Sequence, residues 1–179
     1  GKQVLGDPRL AGVVMTGSTE TARTINRSLA AREGPILPLI AETGGQNAMI
    51  VDSSALPEQV VRDALNSAFN SAGQRCSALR VLFLQSEIAE KTIAMIVGAM
   101  AELKVGNPRW LATDVGPVID ENARGSLRAH AERMEREARH LATVPLPADT
   151  GNGTFFAPRA FEIPSIGLLT HEVFGPILH

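Results

Sequence analysis

Cysteine is nearly absent from this sequence. Residue 76 is the single one, and a lone thiol cannot close an intrachain disulfide, which fits a reducing compartment and a cytoplasmic location. Charge of one sign is also lacking: the formal net charge is -2 and the pI about 6.1. That balance offers no broad electrostatic footprint for nucleic acid. No apolar run approaches the roughly 18 residues that could cross a bilayer. The longest candidate, around Ile36 to Ile40, is interrupted by Pro38 and reads as a buried strand. Four histidines, at 130, 140, 171 and 179, fall at no recognised zinc-ligand spacing, so no metal site is expected. Repeats, low-complexity tracts and a targeting signal are missing too. The chain opens at Gly1 and stops just after the strand-like Pro176-Ile177-Leu178. An internal piece of a longer protein is expected.

What is present is ordinary globular material, with 44% hydrophobic and 20% charged residues, which argues against disorder. Ala11 to Met15 is a short apolar run that ends at Thr16-Gly17-Ser18-Thr19. Helical spacing of Ala22, Ile25, Leu29 and Ala30 predicts a helix from Glu20 to about Ala31. Gly34-Pro35 breaks it, and Ile36 to Ala41 follows as a strand. Strand, glycine turn, helix and strand make the βαβ pattern of a parallel sheet, so the fold class is α/β. Further along, Asn47 to Val51 reads as a strand, and a helix begins at Leu56-Pro57. Arg80 to Gln85 reads as a strand, and Glu87 to Leu103 as a helix. Glu121 to Leu141 is predicted to be one long amphipathic helix. Its outer face mixes Arg128, Arg133, Arg136 and Arg139 with Glu132, Glu135 and Glu137, which reads as a solvated ion-pair face rather than a nucleic-acid surface. Thr154 to Ile163 is a strand region broken at Pro158.

Four segments concentrate reactive groups on tight backbone. In Gly73-Gln74-Arg75-Cys76-Ser77, a glycine lets the loop turn and the cysteine can face a cleft, with Arg75 offering charge that favours a thiolate. A buried small hydrophobe is the plainer reading of a lone cysteine. Glu42-Thr43-Gly44-Gly45 places a carboxylate at the carboxyl end of a strand, where α/β proteins put functional groups; a turn glutamate with turn glycines is the alternative. Thr16-Gly17-Ser18 has the hydroxyls and helix-start N–H groups to hold a phosphate, or Ser18 simply caps a helix. His171-Glu172-Val173-Phe174-Gly175-Pro176 puts an acid and an aromatic two residues apart, able to grip a ribose and stack on a ring, or to be a plain strand end.

Taken together and in this order, the four segments resemble the aldehyde dehydrogenase superfamily over essentially the whole chain. The 34-residue spacing from Glu42 to Cys76 is typical of it. With Glu42-Thr-Gly-Gly-Gln-Asn47 upstream of Cys76-Ser77-Ala78-Leu79-Arg80, the chain is most similar to pyrroline-5-carboxylate (glutamate semialdehyde) dehydrogenases, in particular those fused to proline dehydrogenase in a bacterial bifunctional proline-utilisation flavoprotein. The resemblance implies a parallel-sheet catalytic domain over residues 42–179, truncated at its end, after the last βαβ portion of a NAD-binding domain over 1–41. It implies Cys76 as nucleophile and Glu42 as general base. Thr16, Gly17, Ser18, Thr43, Gly44, Glu172 and Phe174 would bind NAD, and Ser77 would hold substrate. The reaction implied is NAD-dependent oxidation of glutamate γ-semialdehyde to glutamate through a thiohemiacetal and a thioester, in proline catabolism. The oxyanion would be met by the Cys76 N–H. FAD would belong only to a proline dehydrogenase domain outside this chain, and the parent is expected to be a homo-oligomer. Two alternatives stay open: an aldehyde dehydrogenase of other substrate, and a folded but inactive isolated fragment. A cysteine-based acyl transferase or hydrolase would share Cys76 and Glu42, but it has no use for Thr16-Gly17-Ser18 or Glu172 and Phe174, and no base histidine lies near Cys76 in sequence.

Overall fold

The computed structural model describes residues 1–179, which divide into two compact units, Gly1–Gly44 and Gly45–His179. In the first, a short helix α1 (Lys2–Leu5) precedes β1 (Val13–Thr16), α2 (Thr19–Ala30) and β2 (Leu39–Glu42). Helix α1 carries no apolar periodicity that would announce it; the Arg32 guanidinium ties down its end by donating to the carbonyls of Leu5 and Asp7. Strands β1 and β2 pair in parallel, with Thr16 opposite Glu42. This is the expected βαβ unit, entered through Ser18, whose Oγ accepts from the Thr21 N–H at 3.1 Å. Helix α2 ends at Ala30, and Gly34, at a φ of 102° open to glycine, turns the chain toward β2. The expectation of a buried strand around Ile36 to Ile40 is not met. Pairing starts only at Leu39, after Pro38, and Ile36 and Ile40 are exposed. A two-stranded ribbon has too few neighbours to cover both faces of its outer strand.

The second unit holds β3 (Ala48–Val51), α3 (Pro57–Phe69), β4 (Val81–Leu84), α4 (Ser86–Ala101), α5 (Glu121–Glu137), β5 (Arg139–Thr143), β6 (Arg159–Glu162) and β7 (Ile177–Leu178). Strands β3 and β4 are parallel, as are β6 and β7, whereas β5 runs antiparallel to β6. His179 joins the two sets: its N–H donates to the Arg80 carbonyl and its own carbonyl accepts from the Leu82 N–H, at 2.9 and 2.8 Å. That spacing is the parallel pattern, giving the lateral series β3-β4-β7-β6-β5. Helices α3, α4 and α5 close over a common core of Ala64, Ala68, Ile96, Met100, Leu127, Met134 and Phe161.

The long helix predicted to reach Leu141 stops at Glu137. Asp120 starts it by accepting from the Ala123 N–H at 2.8 Å, but Ala138 is extended at φ -138° and ψ 168°, and Arg139 to Thr143 enter the sheet against β6. The apolar residues Ala138 and Leu141 still pack on the core, but from the α5 cap and from strand β5. Their spacing of three fits a helix, and only the partner strand, some 20 residues on, overrides it. The ion pairs of the outer face also reach across elements: Arg133 meets Glu137 within α5 at 3.0 Å, Arg159 of β6 meets Glu135 at 2.6 Å, and Arg139 meets Glu162 across the β5–β6 ladder.

Candidate active site

In the first unit the parallel register does the positioning. Because Thr16 lies opposite Glu42 and the Gly17 N–H donates to the Glu42 carbonyl at 3.0 Å, the hydroxyl-rich turn and the carboxylate occupy the same carboxyl end of one βαβ unit. Thr16, Gly17, Ser18 and Glu42 are all exposed there, and Thr43 and Gly44 follow half-buried. Glu42 is the last residue of β2 rather than the first of a turn. Ser18 is the helix cap, so its hydroxyl is committed to Thr21 as acceptor and donor. The Thr21 and Ala22 N–H groups are taken by Ser18 itself, and the helix dipole at this end favours an anion.

In the second unit Cys76 is exposed, which removes the buried-hydrophobe reading. It sits on a loop that leaves α3 through a tight turn, Asn70–Gly73, in which Ser71, Ala72 and Gly73 are all left-handed, with φ of 57°, 52° and 64°. Two consecutive non-glycine residues in that region carry strain that the surroundings must hold. Gly73 has no room for a side chain: a Cβ would lie 2.4 Å from the Gly175 carbonyl oxygen and 2.7 Å from that of Ala68. The Cys76 loop is thereby pressed against the segment carrying Glu172 and Phe174.

Two side chains fix this arrangement. Asn47 donates through Nδ2 to the carbonyls of Cys76 and Ala78, at 2.6 and 2.9 Å, while its own carbonyl accepts from the N–H groups of Arg80 and Val81. The carbonyl of Cys76 is therefore turned into the protein. Its N–H takes no intrachain partner. Arg80, 1% exposed, is the second. Its Nη2 donates to the Gly73 carbonyl at 2.7 Å, its Nη1 to the Gly175 carbonyl at 2.9 Å, and its Nε and Nη2 to Glu172 Oε1 at 3.1 and 3.0 Å. The Phe174 ring lies 5.3 Å from the guanidinium carbon, a cation–π distance. Burial pushes the Arg80 pKa down and the Glu172 carboxylate pulls it back up. The cation is thus desolvated but fully paired.

Arg75 does not play the part its sequence position suggests. Its Nη2 donates to the carbonyls of Asn66 and Ser67 at the end of α3, at 3.1 and 3.2 Å, so it neutralises a helix C-terminus rather than a thiolate. Ser77 is exposed beside Cys76. Glu172, expected to grip a ribose, is half-buried and ion-paired through Oε1, with Phe174 partly exposed next to it. The roles of Asn47 and Arg80 were not foreseen; a polar residue leading into an apolar strand, and an arginine opening one, were the available signals. A groove of about 340 Å³ between β4, α4 and the stretch after β6 is apolar, lined by Leu82, Leu84, Ile93 and Phe161 among others. None of the expected site residues borders it.

Comparison with known proteins extends these observations. The model of the "Aldehyde dehydrogenase family" matches residues 1–179. The chain is 52% identical, over its whole length, to "Bifunctional protein PutA" of Escherichia coli K12, of which it spans 14%. It is 30% identical over 99% of its length to "1-pyrroline-5-carboxylate dehydrogenase" of Geobacillus kaustophilus, of which it spans 35%. Among solved structures, 99% of the chain superposes on a mutant of Bradyrhizobium japonicum Proline Utilization A with a TM-score of 0.94 at 57% identity, covering 18% of that chain. A Staphylococcus aureus betaine aldehyde dehydrogenase in complex with NAD+ gives a TM-score of 0.92 at 27% identity, with 99% of this chain and 36% of that one covered. The parallel strand ends carrying Thr16 and Glu42, the strained loop carrying Cys76, and a match that runs from the first residue to the last lead to one assignment: this chain belongs to the aldehyde dehydrogenase family.

Proposed function

We propose that these 179 residues supply the thiol, the general base and part of the cofactor site of an enzyme that oxidises glutamate γ-semialdehyde to glutamate with NAD, in proline catabolism. In this reading residues 1–41 are the end of a cofactor-binding domain and 42–179 belong to the catalytic domain. The activity is that of a longer polypeptide of which this chain is one segment, since the relatives named for proline utilisation are some seven times its length. The observation that carries the reading is the hub at Arg80, which holds the Cys76 loop and the Glu172–Phe174 segment against one another. A hydrolase would need the loop but not the acid–aromatic pair.

The donor set suits a dinucleotide. The start of α2, beside Thr16 and Gly17, suits a phosphate, and Phe174 with the Glu172 carboxylate suits a ring and a ribose hydroxyl. When bound, the nicotinamide supplies a hydride acceptor. The rest is done by the chain. The Cys76 sulfur, as thiolate, attacks the aldehyde carbon, and the carbonyl electron pair moves to oxygen as a thiohemiacetal oxyanion. The Cys76 N–H, which takes no intrachain partner, donates to that oxyanion. Loss of hydride from the same carbon leaves a thioester on sulfur. Glu42 takes a proton from water, the hydroxide oxygen attacks the thioester carbon, and the C–S bond breaks to release carboxylate and thiolate. Ser77 hydrogen-bonds the substrate. The aldehyde substrate follows from the relatives' printed names alone, so an aldehyde dehydrogenase of other substrate is the second outcome of a substrate screen.

The test is substitution of Cys76 by Ala in a PutA-length polypeptide carrying these residues. Aldehyde-dependent NADH formation falls by at least about four orders of magnitude, as for loss of a covalent nucleophile. Undiminished turnover overturns the reading.

A further inference from the structure

At the backbone of Arg80, two histidines distant in sequence meet. His130 projects from α5 and is 6% exposed; His179 follows β7. Their Nε2 atoms lie 2.9 Å apart, with the rings edge to face at 82°. The Nδ1 of His179 is 3.0 Å from the Arg80 carbonyl oxygen, and the Nδ1 of His130 lies 3.5 Å from Arg133 Nη2. A carbonyl can only accept, so His179 must carry its proton on Nδ1. In a neutral ring its Nε2 is then bare, and the only atom that can donate across the 2.9 Å gap is the Nε2–H of His130. That leaves the His130 Nδ1 bare, facing a guanidinium that can only donate. Each link dictates the next.

We propose that His130 and His179 are positioning residues, a one-directional relay of hydrogen bonds from Arg133 through both imidazoles to the Arg80 carbonyl, which sets the Arg80 backbone and with it the guanidinium that clamps the Cys76 loop to the Glu172–Phe174 segment. His179 is doubly tied, because its N–H also donates to the Arg80 carbonyl and its own carbonyl accepts from Leu82. The groups facing the pair are cationic or neutral from every side: Arg80 on β4, Arg133 on α5, and His171 in the segment before β7. The carboxylates nearest in the network are already engaged, Glu172 by Arg80 and Glu137 by Arg133. No carboxylate side chain pairs with either ring, and burial together with the nearby Arg80 and Arg133 disfavours a further positive charge, which keeps both rings neutral. The relay depends on the fold around Arg80 and not on the reaction proposed for Cys76.

Nitrogen-15 NMR of the histidine-labelled chain at neutral pH tests this directly. His179 is expected to show a protonated Nδ1 and a bare Nε2, and His130 the reverse. Either ring in the other tautomer, or His179 as a cation, overturns the relay. A second readout is the hydrogen exchange of the Arg80 Nε–H, which donates to Glu172. His130→Gln, whose amide keeps both a donor and an acceptor, should keep that exchange within a factor of about two of the parent, while His130→Leu should speed it roughly tenfold, the loss of about one hydrogen bond of local stability. Equal protection in both variants would show that His130 merely fills space. If His130→Leu fails to fold, the tautomers of the parent chain and the behaviour of His130→Gln still decide.

Discussion

Gly73 and Arg80 carry the local architecture, and each makes a separate prediction. At Gly73 a methyl group would enter the space of two carbonyl oxygens while φ stays at 64°. Gly73→Ala is therefore expected to cost on the order of 2 kcal/mol in urea unfolding and to shift the Cys76 loop. An unchanged midpoint would mean that the turn relaxes freely. At Arg80 the guanidinium satisfies two carbonyls and a half-buried carboxylate. Arg80→Met leaves Glu172 without its counter-charge and is expected to cost about 3 kcal/mol, again read from urea unfolding. Of these residues, the sequence announced Gly73 through its place before a cysteine. Arg80 gave no such signal, because an arginine at the head of a strand is ordinarily a surface residue, and only the tertiary fold brings Gly175 and Glu172 to it from more than 90 positions away.

At the scale of elements, the βαβ unit, α3, β4 and α4 were legible from apolar period and turn residues, since those signals are local. The end of α5 was not. Ala138 and Leu141 continue a helical spacing, and the competing strand β6 lies beyond a loop. Nor could the His130–His179 contact be read from spacing, because it is made by elements 49 residues apart. That contact makes an element-level prediction about acid. Burial lowers the pKa of both histidines from 6.5 to about 4, with neighbouring positive charge adding to it. In the unfolded chain each ring protonates near pH 6.5. Between there and about pH 4 the unfolded state binds more protons than the folded one, so stability is full above pH 6.5 and falls as the pH drops. Urea midpoints measured across this window should decline with acid in the parent, and less steeply in His130→Gln. A flat profile in the parent would contradict the assignment of two neutral buried rings.

For the molecule as a whole, no helix is long and apolar enough to cross a membrane, and each of the two units carries its own candidate residues. Residues 1–44 bring a hydroxyl turn and a carboxylate to one end of two parallel strands; residues 45–179 bring an exposed thiol on a strained loop. The order of the four segments was enough to point to the family, because each has a steric or electronic reason to keep its residue types. The buried network that holds the second unit together lay beyond sequence reasoning, as it depends on contacts rather than on motifs. The assignment of Cys76 as nucleophile and Glu42 as the group that activates water is tested most directly by trapping. In a PutA-length polypeptide with Glu42→Gln, supplied with NAD and glutamate γ-semialdehyde, thioester formation proceeds while hydrolysis is slowed, so mass spectrometry of the quenched protein should find the glutamyl acyl group on the peptide containing residue 76. An acyl group on a different residue, or none despite NADH release in the first turnover, would contradict it.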